Sequence, residues 1–138
     1  MFLIISDITW QTVHGTDPLP WFRDLTGAHR PQPIPLTPRA RIWLTDHHHC
    51  PTPDSTNALA SALTTLFTCQ TGPVFGPACV TAYHPAHGAA DLDPSQAKAF
   101  IRLLTALSDP TTLARHRMAC RLAATWHTPN SEETGQCS

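Results

Sequence analysis

Ala-Arg-Ile-Trp-Leu-Thr at residues 40–45, Asp-Ser-Thr-Asn-Ala-Leu-Ala-Ser-Ala-Leu-Thr-Thr-Leu-Phe at 54–67 and Pro-Ala-Cys-Val-Thr-Ala-Tyr at 77–83 set the fold of this chain. The outer two are short apolar runs rich in aromatic and β-branched residues, centred on Ile42-Trp43-Leu44 and on Cys79-Val80-Thr81, and runs of that length read as buried strands. In the middle stretch Leu59, Leu63, Leu66 and Phe67 recur at helical spacing, which predicts a helix of about 13 residues capped by Asp54 or Ser55 and ended by Gly72-Pro73. The centre of the chain is therefore strand, helix, strand.

Working outward, Phe2-Leu3-Ile4-Ile5 and Ile8-Thr9-Trp10 read as one first strand from Phe2 to about Trp10. Asp17-Pro18 supplies an N-cap and a proline at the first helical position, and Gly27 a stop, so a short helix covers roughly 18–26. The alternating prolines of Pro31-Gln32-Pro33-Ile34-Pro35-Leu36 fit only an edge strand or an extended connection, because proline cannot donate to a central ladder. Past Tyr83, a polar loop runs from His84-Pro85 through Gly88. Asp93-Pro94-Ser95-Gln96 then opens a helix with a capping-box variant, and Ala97, Phe100, Ile101, Leu104 and Leu107 form its apolar face. Ser108-Asp109-Pro110 stops that helix and caps another, which runs to about Trp126 with Ala114, Met118, Leu122 and Trp126 as an i, i+4 stripe. The polar residues from Thr128 on are expected to be unstructured. The expected architecture is a single small α+β domain over residues 1–127, with a mixed, mostly antiparallel sheet and three to four helices largely on one face, followed by a tail at 128–138.

The composition narrows the class. The 138 residues are 41% hydrophobic but only 14% charged, below the ~25% of ordinary domains, with a formal net charge of −1. No global field argues for a polyanion or a membrane partner. No apolar run approaches the ~18 residues of a membrane span. The opening apolar run lacks a basic flank and is too short for an export signal, so a cytoplasmic location is expected. Fibrous, collagen-like and membrane classes are excluded. Five cysteines (Cys50, Cys69, Cys79, Cys120 and Cys137), odd in number and without a CxxC pair, read as reduced thiols. The single lysine, Lys98, among many arginines, together with abundant Ala, Thr, Pro and His, points to a GC-rich genome.

The chemistry-bearing residues gather in three places. Asp46-His47-His48-His49-Cys50 and His84-Pro85-Ala86-His87 offer imidazoles and a thiolate, the ligands zinc favours, so His47, His49, Cys50, His84 and His87 are the candidate metal ligands. Their spacing matches no standard zinc module, adjacent histidines in an extended loop point apart, and the plainer reading is a solvated loop in a His-rich chain. Cys79, or Cys69, with His84 or His87 as base would be needed for thiol catalysis, but a cysteine inside an apolar strand is usually inert core. No catalytic residue is assigned. Asp91 and Asp93 flank a helix start, where capping accounts for them. Residues 94–127 carry Lys98, Arg102, Arg115, Arg117 and Arg121 against Asp109 alone, and Arg115, Arg117 and Arg121 are the candidate contacts for a nucleic acid or another anion.

The succession Trp21-Phe22-Arg23-Asp24-Leu25-Thr26-Gly27, Pro35-Leu36, Ile42-Trp43-Leu44, Asn57-Ala58-Leu59-Ala60, Gly76-Pro77-Ala78-Cys79-Val80-Thr81 and Leu92-Asp93-Pro94-Ser95-Gln96 resembles a small domain-of-unknown-function family common in actinobacteria, their phages and their plasmids. The resemblance spans about residues 20–97. Two departures stand out: Ala28 replaces a second glycine, and 46–50 replaces an acidic turn. The resemblance implies no catalytic residues, only an accessory role on a mobile element. The expectation is a small non-enzymatic accessory or binding protein whose partner is a protein or a small ligand. A zinc-binding protein or metal-dependent hydrolase, and a nucleic-acid binder, are the alternatives. No cofactor is expected apart from zinc in the first of these, no membrane is expected, and homo-oligomerisation is left open.

Overall fold

A computed structural model describes residues 1–27, 30–45, 55–68 and 73–134, with side chains described as far as Thr125. In chain order the elements are β1 (Phe2–Ser6), β2 (Thr9–Val13), α1 (Pro18–Thr26), β3 (Gln32–Thr37), β4 (Ala40–Leu44), α2 (Ala58–Phe67), β5 (Ala78–His84), β6 (Gly88–Ala90), α3 (Pro94–Leu107) and α4 (Pro110–Thr134). The strands form one sheet in the order β2-β1-β5-β4-β3, with β6 also paired to β5. Every pairing among the described strands is antiparallel. This is the α+β domain expected from the sequence.

Both faces of the sheet centre are covered, which is why β1 is an unbroken apolar run rather than an alternating one. On one face Leu3, Ile5, Ile42, Leu44 and Val80 pack against Leu59 and Leu63 of α2 and Ala97, Phe100 and Leu104 of α3. On the other, Phe2, Ile4, Trp43 and Cys79 meet Phe22 of α1. Leu59, Leu63 and Leu104 are fully buried, each contributing about 1.5–3 kcal/mol by removal of apolar area from water. β3 is the edge strand that its prolines require: Pro33 lies opposite Trp43 and Pro35 opposite Arg41. α1 ends as expected at Gly27, left-handed at φ 70°, whose N–H bonds the Arg23 carbonyl. The capping box of α3 is complete, with the Asp93 carboxylate accepting from the Gln96 N–H at 2.7 Å and Gln96 Oε1 accepting from the Asp93 N–H at 3.0 Å.

Five readings change. The single strand from Phe2 to Trp10 is a hairpin turning at Asp7-Ile8, with Ser6 opposite Thr9. Asp7 takes the positive φ (46°) that such a two-residue loop needs, a conformation asparagine and aspartate tolerate better than most residues. The polar loop through Gly88 is the turn of a second hairpin, β5–β6. α2 is capped by Asn57, not by Asp54 or Ser55: the Asn57 Oδ1 accepts from the Ala60 N–H at 3.1 Å, and Thr56 is instead bridged to Phe75. Of the stripe Ala114, Met118, Leu122 and Trp126, the first three face solvent, with Met118 65% and Leu122 56% exposed, and the Trp126 side chain lies outside those described. α4 buries Cys120 and Ala124 instead, against Phe75 and α2, because small residues let the two helices approach closely. Backbone helix also continues to Thr134, past the expected start of the tail at 128. No helix among the described residues is long and apolar enough to cross a membrane.

Candidate functional site

Of the five candidate metal ligands, His47, His49 and Cys50 lie outside the described residues, as do Cys69 and Cys137 among the thiols. His84 and His87 flank the β5–β6 turn, where the His87 N–H bonds the His84 carbonyl at 3.0 Å and the Ala86 N–H bonds His84 Nδ1 at 3.1 Å. Their rings stack with centroids 4.9 Å apart and planes 28° from parallel. Imidazole lone pairs lie in the ring plane, so two stacked rings do not aim at one ion as placed. Among the described residues no group of three or more His, Cys, Asp or Glu is arranged to hold a metal.

The three candidate arginines separate. Arg115 and Arg121 are exposed, whereas Arg117 turns inward and donates from Nη2 to Asp7 Oδ2 at 2.8 Å. Asp7 in turn accepts the Ala58 N–H at 3.1 Å, so the hairpin turn, the start of α2 and the face of α4 are tied at one carboxylate. Arg117 is a bracing residue, not a free cation of a binding surface.

Beneath Asp7 lies a polar network that the sequence reading missed. Asn57 is fully buried, and its Nδ2 donates to the carbonyls of Ile5 at 3.0 Å and Gly76 at 2.8 Å. The Ser61 hydroxyl donates to the Asn57 carbonyl at 2.8 Å, accepts the Val74 N–H at 2.8 Å and lies 3.6 Å from Cys120 Sγ. Gly76 holds φ 81°, and a Cβ there would meet Thr45 Oγ1 at 3.4 Å. These bonds account for the Asn-Ala helix start and the Gly-Pro strand entry as structural devices. Cys79 is completely buried, and burial drives its thiol well above its ordinary value. Burial also raises Cys120, outweighing its hydrogen bonds from Ser61 and Asn57. Neither thiol has a histidine within the contacts described, and both are the reverse of an activated nucleophile.

The site with a shape suited to a ligand lies elsewhere. A groove of about 570 Å³ runs between α3 and the open end of the β1–β2 hairpin, lined by Met1, His14, Leu92, Pro94, Ala97, Lys98, Ile101 and Arg102. Helical geometry builds it: Ala97 and Ile101 are four residues apart, Lys98 and Arg102 are the next such pair, and so an apolar row and a cationic row run side by side. The segment carrying Leu92 is held against β1 by the Leu92 N–H, which bonds the Met1 carbonyl at 2.8 Å. Nearby carboxylates are engaged: Asp91 with the Met1 amino group at 3.4 Å and Asp93 in its capping box. Lys98 and Arg102 are exposed and make no ion pair among the described residues. Two smaller clefts, one lined by Asp17, Leu19 and His87 and one by Ser6, Asp7 and Thr56, hold about 350 and 370 Å³. No protein-family model, curated protein or solved structure matches this chain.

Proposed function

We propose that this α+β domain is a small binding protein that acts without catalysis, and that the groove along α3 is its binding site. The observation that supports the reading is the pairing of apolar Leu92, Ala97 and Ile101 with the exposed cations Lys98 and Arg102 around one concavity of about 570 Å³. That volume lies within the ~300–1,000 Å³ of small-ligand sites, and a mostly apolar lining with a few convergent polar groups is their usual chemistry. An accessory role on a mobile element is what the sequence resemblance adds. The test is a thermal-shift screen of the whole chain and its Ile101→Ser variant against a panel of small amphiphiles. Ligands that raise the melting temperature of the native chain and lose that effect in the variant support the reading. Stabilisation that is indifferent to Ile101 removes it.

A further inference from the structure

We infer that the groove takes a single-chain amphiphile with an anionic head, its aliphatic tail over Leu92, Ala97 and Ile101 and its head between Lys98 and Arg102; this rests on the groove being the binding site. The two rows on α3 carry the argument. Pro94, Ala97 and Ile101 give the tail an apolar track along α3, with Met1 and Leu92 as the facing wall. One residue further along the helix, Lys98 and Arg102 repeat the same spacing, so their side chains line one long edge of that track within about 6 Å of each other at Cβ. His14, just past the end of β2, lines the same groove. Both long side chains lie free to fold over a bound chain, their methylenes on the tail and their charged ends at the head.

Sign is decided by what surrounds the groove. Of the carboxylates closest in sequence, Asp91 is paired with the Met1 amino group and Asp93 keeps its charge in the capping box, so the two cations Lys98 and Arg102, which have no anionic partner among the described residues, outnumber it. A cationic or neutral head would leave those two charges unmatched beside an apolar tail. A headgroup alone, without its chain, would leave the apolar track wet. A chain laid along this concave track has left any bilayer or micelle, so the occupant is a monomeric amphiphile.

The experiment is backbone-amide chemical-shift titration of the whole chain with dodecanoate below its micelle concentration, with octanoate, dodecanol, dodecyl-trimethylammonium and anionic phospholipid vesicles as further arms. Dodecanoate is expected to shift Leu92, Ala97, Lys98, Ile101 and Arg102, and to bind about two- to fourfold tighter per added CH₂ than octanoate as more chain leaves water. Lys98→Glu with Arg102→Glu is expected to weaken dodecanoate by about tenfold or more and dodecanol far less, since the methylenes lost cost both ligands alike while the reversed charge acts only on the anionic head. Equal or tighter binding of dodecanol or the cationic amphiphile at the same residues overturns the anionic assignment and leaves the groove as the site. Vesicle binding without groove shifts overturns the monomeric ligand. Absence of any groove shift with every chain overturns both this inference and the reading beneath it.

Discussion

At Asn57 one side chain does three jobs: it caps α2 and ties the carbonyls of Ile5 and Gly76 to the helix start. Alanine there removes the cap and strands two carbonyls, so Asn57→Ala is expected to lower unfolding free energy by about 3 kcal/mol, read from urea denaturation. Arg117 and Asp7 form a pair whose side chains are 35% and 36% exposed, and solvent screens it. A double-mutant cycle of Arg117→Ala and Asp7→Ala should therefore return a coupling below about 1 kcal/mol that shrinks with added salt. Cys79 sets a pH dependence. Its folded thiol is raised by burial above the ordinary 9.0, so the unfolded chain gives up that proton first as pH rises. The stability it supports is full below pH 9 and is lost above it. Urea midpoints should fall from pH 8 to pH 10, and fall less in Cys79→Ala. His116 acts at the acid end: burial first, then Arg115, lowers it, so it favours the folded state above its ordinary 6.5 and weakens it as pH falls.

The elements divide by how local their signals are. Strands β4 and β5, helices α1 and α3 and edge strand β3 were legible because prolines, glycines and caps mark their ends within a few residues. The first hairpin was not, since its turn uses Asp7-Ile8 in place of a glycine and the apolar run continues across it. The helix face of α4 was not legible either. Two stripes of the same period compete there, and the choice is made by contacts from distant parts of the chain, Asp7 to Arg117 and Ser61 to Cys120. The consequence is measurable. Met118→Gln and Leu122→Gln should each change unfolding free energy by no more than about 0.5 kcal/mol, because both side chains are already in water. Cys120→Leu should cost about 1–3 kcal/mol by overpacking the α2–α4 contact. Larger losses at Met118 and Leu122 than at Cys120 would mean that α4 is seated the other way round.

On the scale of the molecule, α2 and α3 cover one face of the sheet, α4 packs on α2 and α1 covers the other face, and along the α3 edge an apolar wall meets unpaired positive charge. Little of this site could be read in advance. Its residues come from positions 1, 14 and 92–102, which only the sheet order and the Leu92–Met1 bond bring together; the one local sign was the twin spacing of Ala97/Ile101 and Lys98/Arg102. The residue types that first drew notice, the histidines and the α4 arginines, are conspicuous as chemistry, yet His84 and His87 stack on each other and Arg117 braces the fold. The central claim, that the α3 groove is where this protein binds, is tested most directly by mapping amide shifts across the whole chain during titration with a mixed panel of small aliphatic and aromatic probes. Shifts concentrated at Met1, Leu92, Ala97, Lys98, Ile101 and Arg102 are the expected result. Shifts concentrated instead on His84–Ala89 or on Arg115 and Arg121, with the groove silent, would contradict it.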